Sequence, residues 1–414
     1  MAKYRRCEVK AIPKTAAISL QIDLPMTELT NIRNNIEQFC TYIGLKVMSA
    51  LMEHEAQQLT KASGQQRIYR HGSQRGYVSY DGRKLPITRP RLRSDQAREV
   101  VLDSYRAFQA PRRMEEAVTR KVIRNCSTRQ YEGAHSALRP SYGVKKSSVS
   151  RHFKACSADQ LKHLLERPLP AELLALIIDG QHFAGNCVSV AMGIDRKGNK
   201  YVLGLWHGAT ENAVVATALL EDLQARGLNP PHPILVVIDG SKALRKAIQT
   251  VLGDGAVVQR CRVHKQRNVL EHLPKEKQGH ARWQLRGAWE KKDAAEAQKE
   301  LRKLLRWLEP ISPGGARSLE EGMEETLTLQ KLHINQSLAR TFSSTNMIES
   351  CFGQVGTMTA RVKYWRNGAM VVRWAAAALL FAEKHFYRVR GAEQLEQLVE
   401  SLEALRKEPL LKAA

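Results

Sequence analysis

Leu173-Leu174-Ala175-Leu176-Ile177-Ile178-Asp179-Gly180 and Ile234-Leu235-Val236-Val237-Ile238-Asp239-Gly240 share one design: an apolar run rich in β-branched residues, then Asp-Gly. Each run has the length and composition of a buried strand. A carboxylate at the carboxyl end of such a strand sits at the rim of a sheet, where open α/β sheets bind ligands. Two such strands bring two carboxylates together. Close carboxylates repel and call for protons or cations between them. Oxygen ligands select hard cations, Mg²⁺ or Mn²⁺, and a pair of such ions supports in-line phosphoryl displacement. Either acid alone reads more plainly as a turn residue, since Asp-Gly is common in turns. The pair, each behind the same run, reads as a metal site.

The surrounding sequence extends this core. A strand is expected at 187–193, a hairpin turn at Asp195-Arg196-Lys197-Gly198-Asn199 and a third strand at 201–206. A helix follows over 211–226, closed by Gly227, and a second over 241–252. A fifth strand covers 256–259. Three antiparallel-type strands, a helix, a strand, a helix and a strand form the element order of an RNase H-like α/β core. In that order the first acid belongs on strand one and the second just after strand four, where Asp179 and Asp239 fall. Residues 265–340 lose the strand pattern and become rich in Ala, Leu, Glu, Lys, Arg and Gln, with Trp283, Trp289 and Trp307 interspersed. An all-α insertion that packs its tryptophans is the reading. Helices 346–356 and 368–387 then resume the core. The expected domains are 172–264 and 341–390 for the catalytic core, 265–340 for the insertion and 391–414 for a helical tail.

Composition points to a polyanionic partner. The chain carries 65 Lys and Arg against 41 Asp and Glu, a net charge of +24. Such an excess favours nucleic acid. Residues 1–172 hold 31 basic and 16 acidic residues, residues 173–414 hold 34 and 25, so the excess is concentrated in the N-terminal part. That part reads as a mostly helical DNA-binding region with a small β-hairpin. Thr27 caps a helix over 25–62. Tyr77-Val78-Ser79-Tyr80-Asp81-Gly82 turns a hairpin in region 1–110, and Pro86 and Pro90 in its second arm argue for an edge strand. In 111–168 a break at Tyr142-Gly143-Val144 precedes Lys145-Lys146-Ser147-Ser148-Val149-Ser150-Arg151. This outlines a helix-turn-helix in which Lys146, Ser148 and Arg151 face phosphates or base edges. A plain helical hairpin with a solvated face fits nearly as well. The seven cysteines are scattered without a CxxC pair, which fits a reducing compartment. The longest apolar run, 374–382, is about half of a membrane span, so a soluble, cytoplasmic and nucleoid-associated protein is expected.

Val258-Gln259-Arg260-Cys261-Arg262-Val263-His264-Lys265-Gln266-Arg267-Asn268 resembles the QRCxxHxxRN segment of Mutator-type bacterial insertion-sequence transposases. Further agreement lies in the Asp179-Gly180 strand, Gly208-Ala209-Thr210-Glu211 before a helix, Val237-Ile238-Asp239-Gly240, and Ser344-Thr345-Asn346-Met347-Ile348-Glu349-Ser350. The resemblance covers roughly residues 173–385. It implies a DDE transposase in which Asp179, Asp239 and Glu349 hold two Mg²⁺ or Mn²⁺ ions. Water cuts the DNA and the freed 3′-hydroxyl attacks target DNA. The implied partners are double-stranded DNA, as terminal inverted repeats and target, and a second copy of the chain. Cys261 and His264 would brace the core or nearby DNA. Gly180-Gln181-His182-Phe183 departs from the family's usual residues after the first acid, which puts those neighbours' roles in doubt.

Several residues carry plainer readings. Asn346-Met347-Ile348-Glu349 fits a helix N-cap with Glu at the third helical position. Cys261-x-x-His264 is half of a zinc site with Cys351 as an isolated third ligand. Glu211 is most simply a first-turn acid favoured by the helix dipole. Arg260, Arg262, Lys265, Arg267, Arg361, Lys363, Arg366 and Arg373 would balance the acids or meet phosphates. Tyr364 or Trp365 would stack on an unpaired base, or Trp365 is ordinary packing. Rival functions are an RNase H-like nuclease or resolvase, a non-catalytic DNA-binding descendant, and a glycosidase. The last has no use for so basic a chain.

Overall fold

The computed structural model describes residues 36–61, 67–96, 98–134, 141–183, 185–208, 213–229 and 232–412. They fall into two compact units. The first comprises residues up to 122 together with 126–156, the second 123–125 together with 157–414.

In the first unit, α1 (Ile36–Lys61) buries Leu45, Met52 and Ala56 along one helical stripe. They pack on a three-stranded antiparallel sheet of β1 (Ile68–Tyr80), β2 (Arg83–Ser94) and β3 (Glu99–Val100), in the order β1-β2-β3. The β1–β2 turn is Asp81-Gly82, both with positive φ (47° and 77°), as a tight primed hairpin turn requires. The proline-bearing strand β2 lies in the middle of the sheet, not at its edge. The conflict is local, because β3 pairs only with Leu92 and Arg93, leaving Pro86 and Pro90 outside that ladder. The unit continues through α2 (Asp103–Gln109), α3 (Pro111–Ile123) and the start of α4 (Lys146–Glu166). Between α3 and α4, residues 124–134 run through turns, and Tyr142 forms an isolated antiparallel bridge with Lys84. The proposed Thr27 cap lies outside the described residues.

The second unit is built on a five-stranded mixed sheet of β4 (Leu173–Phe183), β5 (Asn186–Asp195), β6 (Lys200–Gly208), β7 (Ile234–Ile238) and β8 (Ala256–Arg260). Its order is β6-β5-β4-β7-β8. β4, β5 and β6 form antiparallel hairpins, while β7 and β8 run parallel to β4 and to each other. β4 and β7 are apolar on both faces because both faces are covered. α5 (Ala213–Ala225) and α6 (Lys242–Val251) bury Leu219, Leu223, Leu244 and Ile248 against Leu176, Ile178, Val236 and Ile238 on one face. Ala175, Ile177, Leu235 and Val237 point to the opposite face.

After β8 the chain enters α7 (Arg262–Glu271), then α8 (Lys275–Trp289), α9 (Ala294–Leu308) and α10 (Pro313–Glu320). These helices share a core of their own, with Leu285, Leu301, Leu304, Leu308 and Leu319 buried. The insertion is therefore a folded helical body, starting three residues earlier than its composition indicates. α11 (Thr328–Lys331) and α12 (Gln336–Phe342) lead back to the sheet. There α13 (Asn346–Thr359), α14 (Gly368–Glu383) and α15 (Leu395–Lys412) cover the second face through Ile348, Phe352, Val355, Val371, Leu379 and Leu398. No helix among the described residues is long and apolar enough to cross a membrane.

Candidate active site

Register brings the two acids side by side. Ile178 of β4 pairs with Ile238 of β7, and Ile238 pairs with Arg260 of β8. The next residues are Asp179, still within β4, and Asp239 and Cys261, each just past the end of its strand. Side chains alternate across a strand, so all three share the face carrying Ile177 and Val237, the face covered by α13. Asp179 does not end its strand. β4 continues to Phe183 as a hairpin arm with β5, and only the parallel pairing with β7 stops before Asp179.

α13 delivers the third acid. Its Ile348, Cys351, Phe352 and Val355 are buried on the sheet, which leaves Glu349 in the first turn at the rim. Ligand atoms of Asp179, Glu349 and His264 all lie within 4.8 Å of one another. His264 Nε2 is 3.5 Å from Glu349 Oε1. That carboxylate oxygen is buried and has no hydrogen-bond partner in the protein. Asp239 stands outside this group. Its Oδ1 accepts a 2.9 Å hydrogen bond from the Ser241 amide, while Ser241 Oγ caps α6 by accepting from Leu244.

Thr345, which sequence reasoning passed over, ties the site together. It is fully buried. Its Oγ1 lies 3.4 Å from His264 Nδ1 and 3.7 Å from Cys261 Sγ, and the same hydroxyl favours the charged form of Asp179. One hydroxyl has one proton and two lone pairs. It donates to Cys261 Sγ and accepts from the imidazole. Thr345 occupies the N-cap position of α13 but makes no side-chain cap there, because its hydroxyl is turned to the site. The N-cap position thus falls one residue before the one expected, and Asn346 is the first helical residue. Cys261 caps α7, its Sγ accepting from the His264 amide at 3.5 Å.

Electrostatics follow from burial and crowding. Burial pushes the Asp179 carboxyl up to about 6; the Thr345 hydrogen bond opposes this and the Asp239 charge adds to it. The hydrogen bond with Cys261 raises His264 to about 9 against its burial, with further help from Asp179 and Glu349. Burial alone would raise the Cys261 thiol, but hydrogen bonds with His264 and Thr345 outweigh it and leave it lowered. A cationic imidazole therefore stands among the acids. Among the described residues Asp179, His264 and Glu349 form the only group of three such ligands. The Cys261–His264–Cys351 zinc arrangement is not assembled.

The basic residues of the Gln259–Lys265 segment face inward. Buried Arg260 donates to Glu321 O at 3.0 Å and Gly240 O at 3.3 Å, and its Nε is 3.4 Å from Glu325 Oε2. Arg262 donates to Thr326 O at 3.0 Å. Lys265 donates to Ser318 O and Glu321 O at 2.5 and 2.6 Å, and burial lowers its ammonium to about 8. These cations fasten the helical insertion to the sheet, where the sequence suggested contact with DNA. Arg267, Arg361, Lys363 and Arg366 are exposed, as are Lys146 and Arg151, with Ser148 half-buried. Trp365 packs edge-on against Trp374, ring centroids 6.3 Å apart, whereas Tyr364 is 74% exposed. Glu211 lies outside the described residues.

The chain thus joins an oxygen-rich cluster on a five-stranded mixed sheet to a strong excess of basic residues. Residues 19–388 match the family described as Transposase, Mutator family, and the chain belongs to that family. Among its relatives is the transposase for insertion sequence element ISRM5 of Rhizobium meliloti, 27% identical over 82% of this chain and 86% of that protein. The transposase for insertion sequence element IST2 of Acidithiobacillus ferrooxidans is 29% identical over 51% of this chain and 70% of its own length. The transposase for insertion sequence element IS256 in transposon Tn4001 of Staphylococcus aureus is 24% identical over 81% and 87%.

Proposed function

We propose that the chain is the DDE transposase of a bacterial insertion sequence, binding the element's terminal inverted repeats and cutting and joining DNA on an RNase H-like core. The observation that carries this reading is the meeting of Asp179 and Glu349, far apart in sequence, with ligand atoms within 4.8 Å. The strand order β6-β5-β4-β7-β8, with antiparallel first strands and parallel last ones, supports the core assignment.

The donor set fits a divalent cation. Asp179 and Glu349 offer carboxylate oxygens, and the buried Glu349 Oε1 accepts no hydrogen bond among the described residues and faces the His264 imidazole at 3.5 Å. Asp239, which directly follows the last β4–β7 pair as Asp179 does, supplies the third carboxylate. When bound, two Mg²⁺ or Mn²⁺ ions would neutralise charge on the attacking and leaving oxygens. The protein's own share is positional. β4 and β7 fix two acids in register, α13 brings the third, and Thr345 orients Asp179 and His264. The protonated His264 offsets part of the carboxylate charge while the acids stand without other cations. Two copies of the chain, one per element end, would pair the ends.

Incubating the full chain with labelled DNA bearing the flanking element ends and Mg²⁺ tests the reading. Nicks at the element boundary and joined products are expected, both lost in Asp179→Asn and Glu349→Gln. Cleavage without joining would favour a nuclease or resolvase, and full cleavage in either variant would refute the site.

A further inference from the structure

We infer that the helical insertion carries a DNA surface of its own, on α8 and α9, where Trp283 stacks on a base left unpaired at a DNA end. The inference rests on the reading that this chain acts on DNA. Of the three insertion tryptophans, two are half-buried, and Trp289 donates its indole N–H to Thr326 Oγ1 at 3.2 Å. Trp283 is 72% exposed. It extends a row of rings: His280 lies 6.4 Å from it and 4.7 Å from Trp307 on α9.

Charge around the row is one-sided. Residues 275–308 hold ten Lys and Arg against five Asp and Glu. Lys275, Lys277, Arg282 and Arg286 on α8 are exposed, as are Lys299, Arg302, Lys303 and Arg306 on α9. Of these eight, among the described residues only Lys303 lies within ion-pair distance of a carboxylate, 2.7 Å from Glu300. The cations that fasten the insertion to the sheet are others, so this group is left for an external polyanion. Gly279 and Gly287 flank Trp283 one turn to either side. A Cβ at either would meet no atom within 4 Å, so no packing inside the chain explains them. Glycine inside a helix is unfavourable by about 1 kcal/mol relative to Ala. Here it clears both sides of the indole for close approach. An aromatic plane among cations suits exposed bases flanked by phosphates, and stacking tolerates any base.

The test uses the full chain and two DNA probes, a blunt duplex and the same duplex with a short single-stranded overhang carrying 2-aminopurine. Wild type should quench the overhang fluorophore and prefer the overhang probe. Trp283→Ala should abolish the quenching and weaken overhang binding about 5- to 150-fold, with the blunt duplex little changed. Trp283→Phe should restore most of both. Undiminished quenching in Trp283→Ala overturns the inference, as does equal loss on both probes, which would mean backbone contact only. A fall in oligomer mass of Trp283→Ala without DNA would instead assign the ring to a second copy and also overturn it. Asp179→Asn should quench as wild type does, so these outcomes stand apart from any failure of the catalytic assignment.

Discussion

Replacing Thr345 by Val keeps the branched shape of a fully buried side chain and removes only its hydroxyl. That hydroxyl favours the charged form of Asp179 and lowers a carboxyl that burial otherwise lifts, the balance lying at about 6. A hydrogen bond to a charged group contributes roughly 1.5–3 kcal/mol, or about 1–2 pKa units at ~1.36 kcal/mol each. The variant's Asp179 should therefore hold its proton to a pH about 1–2 units higher. A protonated carboxyl does not ligate a cation, so the acid limb of cleavage should move up by the same amount, with the alkaline plateau and DNA binding retained. Stability has a matching sign. A carboxyl with a raised folded pKa binds more protons folded than unfolded, so stability falls as pH rises from the unfolded value of 3.8 through about 6. In the variant that decline continues to higher pH. The assay is the initial cleavage rate of labelled end DNA from pH 5 to 9 at fixed Mg²⁺, with Thr345→Ser as the control that keeps the hydroxyl. A Val profile superimposed on wild type would falsify the assignment of Thr345, as would a Ser variant that follows Val.

Asp239→Asn should lose cleavage by at least about 100-fold while binding end DNA as wild type does, measured by mobility shift beside the nicking assay. Lys265→Met should lower unfolding stability by about 1–3 kcal/mol, because two part-buried carbonyls at the end of α10 lose their donor. Wild type should also gain stability as pH rises from about 8 to the unfolded value of 10.5, since the unfolded lysine then keeps a proton that the folded one has lost, and the Met variant should lack this rise. Lys146→Gln with Arg151→Gln should weaken DNA binding at every sequence and reduce the slope of log K against log salt by about 2; an unchanged slope removes α4 from the DNA surface.

Much of the second unit was legible in the sequence because its strands are buried on both faces. A strand covered by helices must be apolar throughout, and 173–178 and 234–238 are. The hairpin turns at Asp81-Gly82 and Asp195–Asn199 were legible for a local reason, the positive φ at Gly82 and Gly198. What escaped depends on distant partners. Pro86 and Pro90 argued for an edge strand, but the short reach of β3 lets the middle strand carry them. Arg260 and Lys265 look like phosphate ligands until Glu321 and Ser318, more than fifty residues later, are placed beside them. Trp283 resembled Trp289 and Trp307 in composition alone, and only the helix faces separate the exposed ring from the half-buried ones. Thr345 sat within a quoted motif, yet a hydroxyl before a helix reads as a cap, and its diversion to Asp179 and His264 is a tertiary fact.

The same physics accounts for the density of the Gln259–Lys265 segment. A folded insertion separates Asp239 from Glu349, and the loop-closure cost of so long a detour is modest because it grows only with the logarithm of length. The harder requirement is precision, since α13 must return with Glu349 within ligand reach of Asp179. Gln259 and Arg262 seize the outgoing end of the detour, meeting Thr326 O and, through Gln259 Oε1, the Leu329 amide. Arg260 and Lys265 hold Glu321 and Ser318. The Arg262 amide donates to Ser343 O at 2.8 Å, two residues before Thr345. Cys261 and His264, interleaved among these, then meet Thr345 and Glu349. One strand end and one helical turn therefore grip the insertion with four side chains and the acid-bearing helix with Cys261 and His264. A change at Arg260 or Lys265 should consequently reach the carboxylates without touching them, by loosening the body through which the chain returns.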